Sequence, residues 1–133
     1  MTKILEGGCL CGAVRYAITG PILQSDWCHC RLCQRSAGAP AVAWTTVAAG
    51  DFRFTKGEPR TYASSEKGRR LFCGDCGTQL VFLDGEADRD VTIASLDEPT
   101  ALAPQDHIWT MSQLSWVKLA DGLPRHRGRR APS

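Results

Sequence analysis

The seven cysteines of this 133-residue chain limit its possible folds more than any other feature. Three of them, Cys28, Cys30 and Cys33, are packed into one short stretch. Three thiols so close together cannot all pair as disulfides, whereas three thiolates converging on one metal ion are ordinary zinc chemistry. The other cysteines form two distant pairs, which are Cys9 with Cys11 and Cys73 with Cys76. Clustered thiols in an odd number predict metal binding rather than a disulfide framework.

Ligand counting divides the seven thiols into a closed site and an open one. A structural zinc site fills four positions with protein ligands, whereas a catalytic site leaves one position for water or substrate. The two distant pairs therefore predict a four-thiolate structural site, and the compact group predicts a three-thiolate site with an open position. A thiol that binds zinc becomes a thiolate at neutral pH, so the sequence predicts a site that binds and activates a small thiol.

Three alternatives remain open at this point. Cys73 and Cys76 can complete a single site with two thiols of the compact group, which leaves the first pair free. The same two cysteines form a CxxC motif, which is also the spacing of dithiol redox proteins. His29 lies between two candidate ligands and can close the open site as a fourth ligand, although a histidine beside metal thiolates more often supports the ligands without binding the metal.

Length and charge limit the class of protein. A chain of this length can form one domain with its own core. Four of its sixteen basic residues lie in residues 125–133, which leaves twelve basic and fourteen acidic residues in residues 1–124. A weakly acidic body with a short basic tail is a poor footprint for nucleic acid, so no nucleic-acid partner is expected. We expect residues 125–133 to be a basic, disordered tail.

Apolar patterning predicts a mainly β fold made of many short strands. One strand is predicted over residues 22–27, where it delivers Cys28, and another over residues 91–96. A helical turn or two is expected after the compact cysteine group, ending at Gly38. The first eight residues contain no apolar run that suits a signal peptide or a membrane span, so we expect a cytoplasmic protein without a membrane partner.

Several segments resemble the glutathione-dependent formaldehyde-activating enzyme family, which also includes centromere protein V. All seven cysteines occur in the order of the family pattern with their flanking glycines, and the resemblance covers residues 5–124. The segments that carry it are residues 7–16, 28–38, 72–77, 95–97, 107–109 and 116–124. The resemblance implies a β-tent fold of short antiparallel strands with zinc-binding knuckles, as a single domain over residues 1–124.

The same resemblance implies two zinc ions per chain and an activity. The structural zinc is expected on Cys9, Cys11, Cys73 and Cys76, and the catalytic zinc on Cys28, Cys30 and Cys33. The implied activity is that of a carbon-sulfur lyase, which joins glutathione to formaldehyde or a related small aldehyde to give S-hydroxymethylglutathione. The rival interpretation is a non-catalytic zinc module for protein or chromatin contacts, as centromere protein V suggests. The sequence sets no oligomeric state.

Basic residues near the cysteines are candidates for binding glutathione, because its two carboxylates call for cations. Arg31 and Arg35 flank Cys33 and are the predicted glutathione-binding residues. Three more basic residues, among them Arg70, precede the second CxxC motif and are further candidates. His107 is expected to have a structural role, because it is a lone histidine in an apolar segment.

Overall fold

The computed structural model describes residues 3–85 and 87–130, and within them the chain forms mainly strands. The prediction of a mainly β fold is confirmed. No helix in this described part is long and apolar enough to cross a membrane. The strands are β1 (Leu5–Gly8), β2 (Arg15–Ile18), β3 (Gln24–Cys28), β4 (Val42–Ala48), β5 (Phe52–Lys56), β6 (Arg60–Ala63), β7 (Gly68–Phe72), β8 (Gln79–Asp84), β9 (Asp88–Thr92) and β10 (His107–Ile108). The α-helix is α1 (Arg31–Ala37), and 3-10 turns cover Ala49–Asp51, Ile93–Ser95, Pro99–Ala101 and Thr110–Ser112.

The strands form two sheets. The smaller sheet has the order β1-β2-β5, and the larger sheet has the order β10-β3-β4-β9-β8-β7-β6. Neighbouring strands are antiparallel except β10, which lies parallel to β3. The expected antiparallel arrangement is confirmed, with this pair as an exception. The long connection from β9 to β10 explains the exception, because a parallel pair needs a crossover rather than a tight hairpin.

The main core lies between the two sheets. Side chains alternate along a strand, so one face of the larger sheet turns toward the smaller sheet. Val47, Val81 and Val91 lie on that face and are fully buried. Tyr16 and Ile18 of β2 pack against the same cluster from the smaller sheet and are also fully buried. The fold thus has an apolar core of its own, separate from the compact group of three cysteines.

The opposite face of the larger sheet carries polar and aromatic side chains in one row. Thr46 pairs with Asp90, Asp90 with Phe82, and Phe82 with Arg70, across four neighbouring strands. Residues that face each other across paired strands project to the same side of the sheet. This face therefore differs from the core face, and it borders a cavity described below.

Helix α1 begins at the compact cysteine group. Cys30 is its N-cap, and the Sγ atom of Cys30 accepts a hydrogen bond from the backbone N–H of Cys33 at 3.3 Å. The helix ends at Ala37, followed by Gly38 as its C-cap, which confirms the predicted position. Because one candidate metal ligand also caps the helix, the orientation of α1 is coupled to the arrangement of the thiols.

The strand predicted over residues 91–96 is partly wrong. Strand β9 begins three residues earlier and ends at Thr92, and the next residues form a 3-10 turn. The Ser95 hydroxyl donates to the Thr92 carbonyl at 2.8 Å, which stabilises the turn. Side-chain hydrogen bonds of this local kind compete with strand pairing, and the β-branched pattern does not reveal them.

Residues 125–130 extend the edge of the larger sheet, in contrast to the disordered tail that the sequence predicts. The backbone N–H of His126 donates to the carbonyl of His107 at 2.9 Å, and the N–H of Trp109 donates to the carbonyl of Gly128 at 2.9 Å. Strand β10 lies at the sheet edge, so its backbone groups are open to pairing. A basic run is usually solvated, but this one forms backbone hydrogen bonds next to β10, and its Arg130 pairs with the buried Asp26 and Asp106. Residues 131–133 lie outside the described residues.

Candidate metal centres

The two distant cysteine pairs come together in the fold. The Sγ atoms of Cys9, Cys11, Cys73 and Cys76 all lie within 4.8 Å of one another. Two of the separations are 3.7 Å, from Cys9 to Cys11, and 3.8 Å, from Cys11 to Cys73. A tetrahedron with zinc–sulfur bonds of about 2.3 Å has edges of about 3.8 Å. The donor atoms and their spacing therefore fit a zinc ion.

Each pair of this four-cysteine group is followed by a glycine that the turn requires. Gly12 and Gly77 have φ angles of 80° and 81°, in the left-handed region where other residues are strained. The Thr78 side chain supports the second turn. Its hydroxyl lies 3.3 Å from the Sγ atom of Cys76 and lowers the pKa of that thiol to about 5. This contact favours the thiolate form of Cys76, which is the form that binds a metal.

The compact group also brings its thiols together. The Sγ atoms of Cys28, Cys30 and Cys33 lie within 4.8 Å of one another, and Cys28 and Cys33 are separated by 3.5 Å. Hydrogen bonds from Cys28 and Cys33 lower the pKa of the Cys30 thiol, so the metal-free group stabilises a thiolate at its centre. This three-cysteine group fits a zinc ion with one position not filled by a cysteine.

The structure separates the seven thiols as four and three. Cys73 and Cys76 meet the first cysteine pair and are not grouped with the compact group, so the single mixed site is not what the fold assembles. The redox interpretation also loses support, because a dithiol pair would not need two further thiols at tetrahedral spacing. The geometry thus groups the thiols as ligand counting predicts, with four in one site and three in the other.

His29 takes part in a hydrogen-bonded chain that runs through His107 to Asp121. Its Nε2 atom lies 2.9 Å from Nδ1 of His107, and Nε2 of His107 lies 2.8 Å from a carboxylate oxygen of Asp121. Both histidines are fully buried, and burial together with the neighbouring His107 lowers the pKa of His29 to about 4. When Nε2 of His107 donates to the carboxylate, Nδ1 of His107 accepts from Nε2 of His29. His29 therefore anchors the cysteine loop to β10, and it does not join the group of candidate ligands.

Arg70 supports the three-cysteine group from the sheet. Its side chain is buried, and its two terminal nitrogens donate to the Sγ atom of Cys33 at 3.7 and 3.8 Å. The guanidinium carbon also lies 4.7 Å from the centre of the Phe82 ring. From the sequence, Arg70 is predicted only as a further candidate for binding a substrate carboxylate. A buried cation next to the thiols instead offsets their negative charge and lowers the pKa of Cys30 further.

A cavity of about 850 Å³ opens beside the three-cysteine group. All three cysteines line it, together with aromatic residues that include Trp44, Phe82 and Trp109. Pockets for small molecules typically measure about 300–1,000 Å³, so this one is large enough for a tripeptide. None of the other four cysteines lines the cavity, so only the compact group is placed to meet a substrate there.

Of the two arginines predicted to bind glutathione, only Arg31 lines this cavity. Arg31 donates to the side-chain oxygen of Gln34 at 2.6 Å, which fixes it at the start of α1. Arg35 lines a neighbouring groove of about 550 Å³ instead, because it lies one helical turn further along. Arg70 borders both spaces.

The sequence missed a group of charged residues at the far side of the cavity. Asp26 is buried, and burial raises its pKa to about 7, with Asp90 adding to the shift and Arg130 opposing it. Arg130 lies 3.5 Å from Asp26 and also binds Asp106 through both ends of its guanidinium. Acidic residues inside short strands are an unusual feature, and that signal was present at Asp26 and Asp90.

The fold and the two thiol groups together define a mainly β protein with two candidate thiolate metal centres. The family model described as glutathione-dependent formaldehyde-activating enzyme matches residues 4–112, and the chain belongs to this family. This result confirms the resemblance noted in the sequence.

Individual relatives agree with this assignment. The chain is 30% identical over 127 residues to a putative glutathione-dependent formaldehyde-activating enzyme of Halomonas elongata, covering 87% of this chain and 81% of that protein. It is 31% identical over 77 residues to an uncharacterised lyase of Schizosaccharomyces pombe, but that match spans only 56% of the yeast protein. A crystal structure of a Rhodobacter sphaeroides protein matches the fold with a TM-score of 0.56 at 20% identity, over 91% of this chain and 98% of the other. The predicted β-tent architecture is thus confirmed.

Proposed function

We propose that this chain is a zinc-dependent enzyme that adds glutathione, or another small thiol, to formaldehyde or a related small aldehyde. The observation that carries the proposal is the position of the three-cysteine group on the wall of the 850 Å³ cavity. In the proposed reaction the thiol sulfur forms a bond to the aldehyde carbon. The thiol proton passes to the carbonyl oxygen, which gives S-hydroxymethylglutathione when the reactants are glutathione and formaldehyde. The reverse reaction breaks the same carbon–sulfur bond, as in a carbon–sulfur lyase.

Two zinc ions per chain are part of the proposal. Cys9, Cys11, Cys73 and Cys76 would hold a structural ion, because four thiolates fill a tetrahedron. Cys28, Cys30 and Cys33 would hold a catalytic ion, which supplies a positive charge that favours the thiolate form of an incoming thiol.

The chain's own side chains have three proposed tasks. Arg31 binds a glutathione carboxylate, because it lines the cavity and its fork of N–H groups suits a carboxylate. Arg70 holds Cys33 in place by its two N–H contacts. Trp44 and Trp109 form apolar walls that exclude water from the reacting atoms. Arg35, on the neighbouring groove, is assigned only a supporting electrostatic role in attracting an anionic thiol.

Native mass spectrometry of the freshly purified reduced protein tests this function. We expect two metal ions per chain and a glutathione adduct in the wild type. The Cys30→Ser variant should lose one metal ion, the adduct and the activity on glutathione and formaldehyde. Ser36→Ala, on the exposed side of α1, is the matched control and should retain all three.

Two outcomes would contradict the proposal. If Cys30→Ser loses one metal but keeps the activity, the three-cysteine group is not the reacting site. If the wild type binds two metals but neither glutathione nor another small thiol, the non-catalytic zinc module becomes the better interpretation.

A further inference from the structure

The cavity next to the three thiols has an acidic end, formed by two residues that take part in no ion pair among the described residues, although Arg129 and Arg130 also line the cavity. Asp84 and Asp90 both line it. Asp90 accepts a hydrogen bond from the Thr46 hydroxyl through one oxygen, and none of the ion pairs formed within residues 3–85 and 87–130 involves Asp84 or Asp90. Desolvation raises the pKa of Asp90, the Thr46 hydrogen bond and Arg130 oppose the shift, and the nearby Asp88 and Asp84 add to it. A cation next to Asp84 and Asp90 would stabilise their charged forms.

A buried carboxylate, that of Asp26, lies on β3, two strands from Asp90 in the order of the sheet. Asp26 lines the same cavity and is only 3% exposed. One of its oxygens faces Arg130 at 3.5 Å, but the other oxygen, Oδ1, is buried and has no hydrogen-bond partner among the described residues. A buried oxygen without a donor is costly, so a structure that retains one calls for a ligand or a functional reason.

Asp90 lies on the sheet face that also carries Arg70, the residue that contacts the thiols. The Arg70 guanidinium contacts Cys33 and lies over the Phe82 ring, and Phe82 pairs directly with Asp90 on the neighbouring strand. Neighbouring strands are about 4.8 Å apart, so Asp90 is one strand spacing beyond the ring that Arg70 covers. A ligand with its sulfur at the thiols can therefore reach Asp90 across the floor of the cavity.

Both signs of charge line the cavity. Arg31 and Arg70 lie beside the thiols, and Arg130 is paired with Asp26 and Asp106, whereas Asp84 and Asp90 form no ion pair among the described residues. A simple anionic thiol would suit only the arginines. A thiol that carries both a carboxylate and a primary ammonium would match both signs of charge.

We propose that Asp84 and Asp90, with Asp26 on the same face of the sheet, form a subsite for the primary ammonium group of the thiol substrate. In glutathione this group is the amino group of the γ-glutamyl residue. The subsite rests on the proposed function, because it assumes that the substrate sulfur sits at the three cysteines. It adds a selection rule to that function, which is that the protein discriminates thiols by a positive charge remote from the sulfur.

Isothermal titration of the metal-loaded protein with two matched ligands tests the subsite. The ligands are glutathione and glutaryl-cysteinylglycine, which lacks only the amino group. We expect the wild type to bind glutathione about tenfold more tightly, the effect of losing one charge-assisted interaction. Asp90→Asn should reduce this preference to about twofold or less, and Asp84→Asn should reduce it by a smaller factor. Asp88→Asn is the control, because Asp88 lies on the same strand but does not line the cavity.

The outcomes separate the subsite from the function on which it rests. If the wild type binds both ligands equally, or if the preference survives in the Asp84→Asn/Asp90→Asn double variant, the subsite is wrong and the thiol site stands. If neither ligand binds to protein that holds both metals, the proposed function itself fails. Asparagine can still accept the Thr46 hydrogen bond, and Asp84 is exposed, so loss of the fold does not confuse the comparison.

Discussion

The two cysteine groups offer a metal the same sulfur atoms, yet their surroundings differ. In the four-cysteine group, backbone amides contact the sulfurs: the N–H of Val14 donates to Cys9 at 3.2 Å, and that of Asp75 donates to Cys73 at 3.4 Å. In the three-cysteine group one backbone amide contacts a sulfur, that of Cys33 to Cys30, but the buried side chain of Arg70 also contacts Cys33, and a cavity lies alongside. Ligand number and access from the cavity, rather than ligand type, distinguish the two groups.

The comparison is tested most strongly by removing one cysteine from each group. Cys73→Ser should lower the free energy of unfolding by several kcal/mol, because a structural zinc site contributes on the order of 10 kcal/mol at neutral pH. Cys30→Ser should lower it far less, since serine is also a good helix N-cap and the main core is separate. Urea unfolding with metal analysis measures both. Equal losses in the two variants would break the distinction between the groups.

The second test concerns Arg70, whose positive charge supports the three-cysteine group. Arg70→Gln removes the two contacts to Cys33 and the buried cation beside the thiols. Outer contacts of this kind typically change metal affinity by about 10–100-fold, so the three-cysteine group should release its metal that much more easily to a chelator. The four-cysteine group should hold its metal as before. Arg70→Lys keeps the charge but not the fork, and an intermediate loss would show that geometry contributes.

Sequence reasoning predicted the cysteine division because cysteine spacing is a local signal with strong chemistry. Two pairs and one compact group can be read directly from the chain, and the helix that follows Cys33 has its stop signal at Gly38. The tertiary partners of the site could not be read in this way. Arg70 reaches Cys33 from a strand that is distant in sequence, and which face of that strand meets the thiols depends on register.

The carboxyl-terminal segment shows the same limit. The sequence predicts that Arg130 lies in a disordered tail, because four arginines lie close together in residues 125–133. Composition describes the average behaviour of such a run, but the edge of β10 and the carboxylates of Asp26 and Asp106 give this one specific partners. An ion pair between residues about a hundred positions apart leaves no signal in local sequence.

The third test concerns the contribution of residues 125–130 to the stability of the fold. Arg130→Gln leaves Asp26 and Asp106 without their cation and should lower the free energy of unfolding by about 2 kcal/mol, the order expected when a charged partner of a buried group is lost. Arg129→Gln, at the exposed neighbouring position, is the control and should change it little. The metal in the four-cysteine group should be unaffected. If both variants unfold at the wild-type urea concentration, the segment does not stabilise the fold.

The smallest expected effect is a gain in stability. Burial and neighbouring carboxylates raise the pKa of Asp90, so the folded protein binds a proton at this site more readily than the unfolded chain does. Wild-type stability therefore falls as pH rises from the ordinary aspartate value of about 4 through the higher folded value, and the loss is complete above it. Asp90→Asn removes this cost while keeping an acceptor for Thr46.

Its thermal midpoint should thus exceed that of the wild type at pH 7.5, and the difference should vanish near pH 3.5. Saturating glutathione should reverse the order at pH 7.5, because only the wild type keeps the carboxylate that the ammonium group needs. A variant that is less stable than the wild type at pH 7.5 without ligand would show that Asp90 is retained for the fold. A gain in stability with a loss of glutathione preference would show that the acidic end is retained for the ligand, and that feature has no counterpart beside the four-cysteine group.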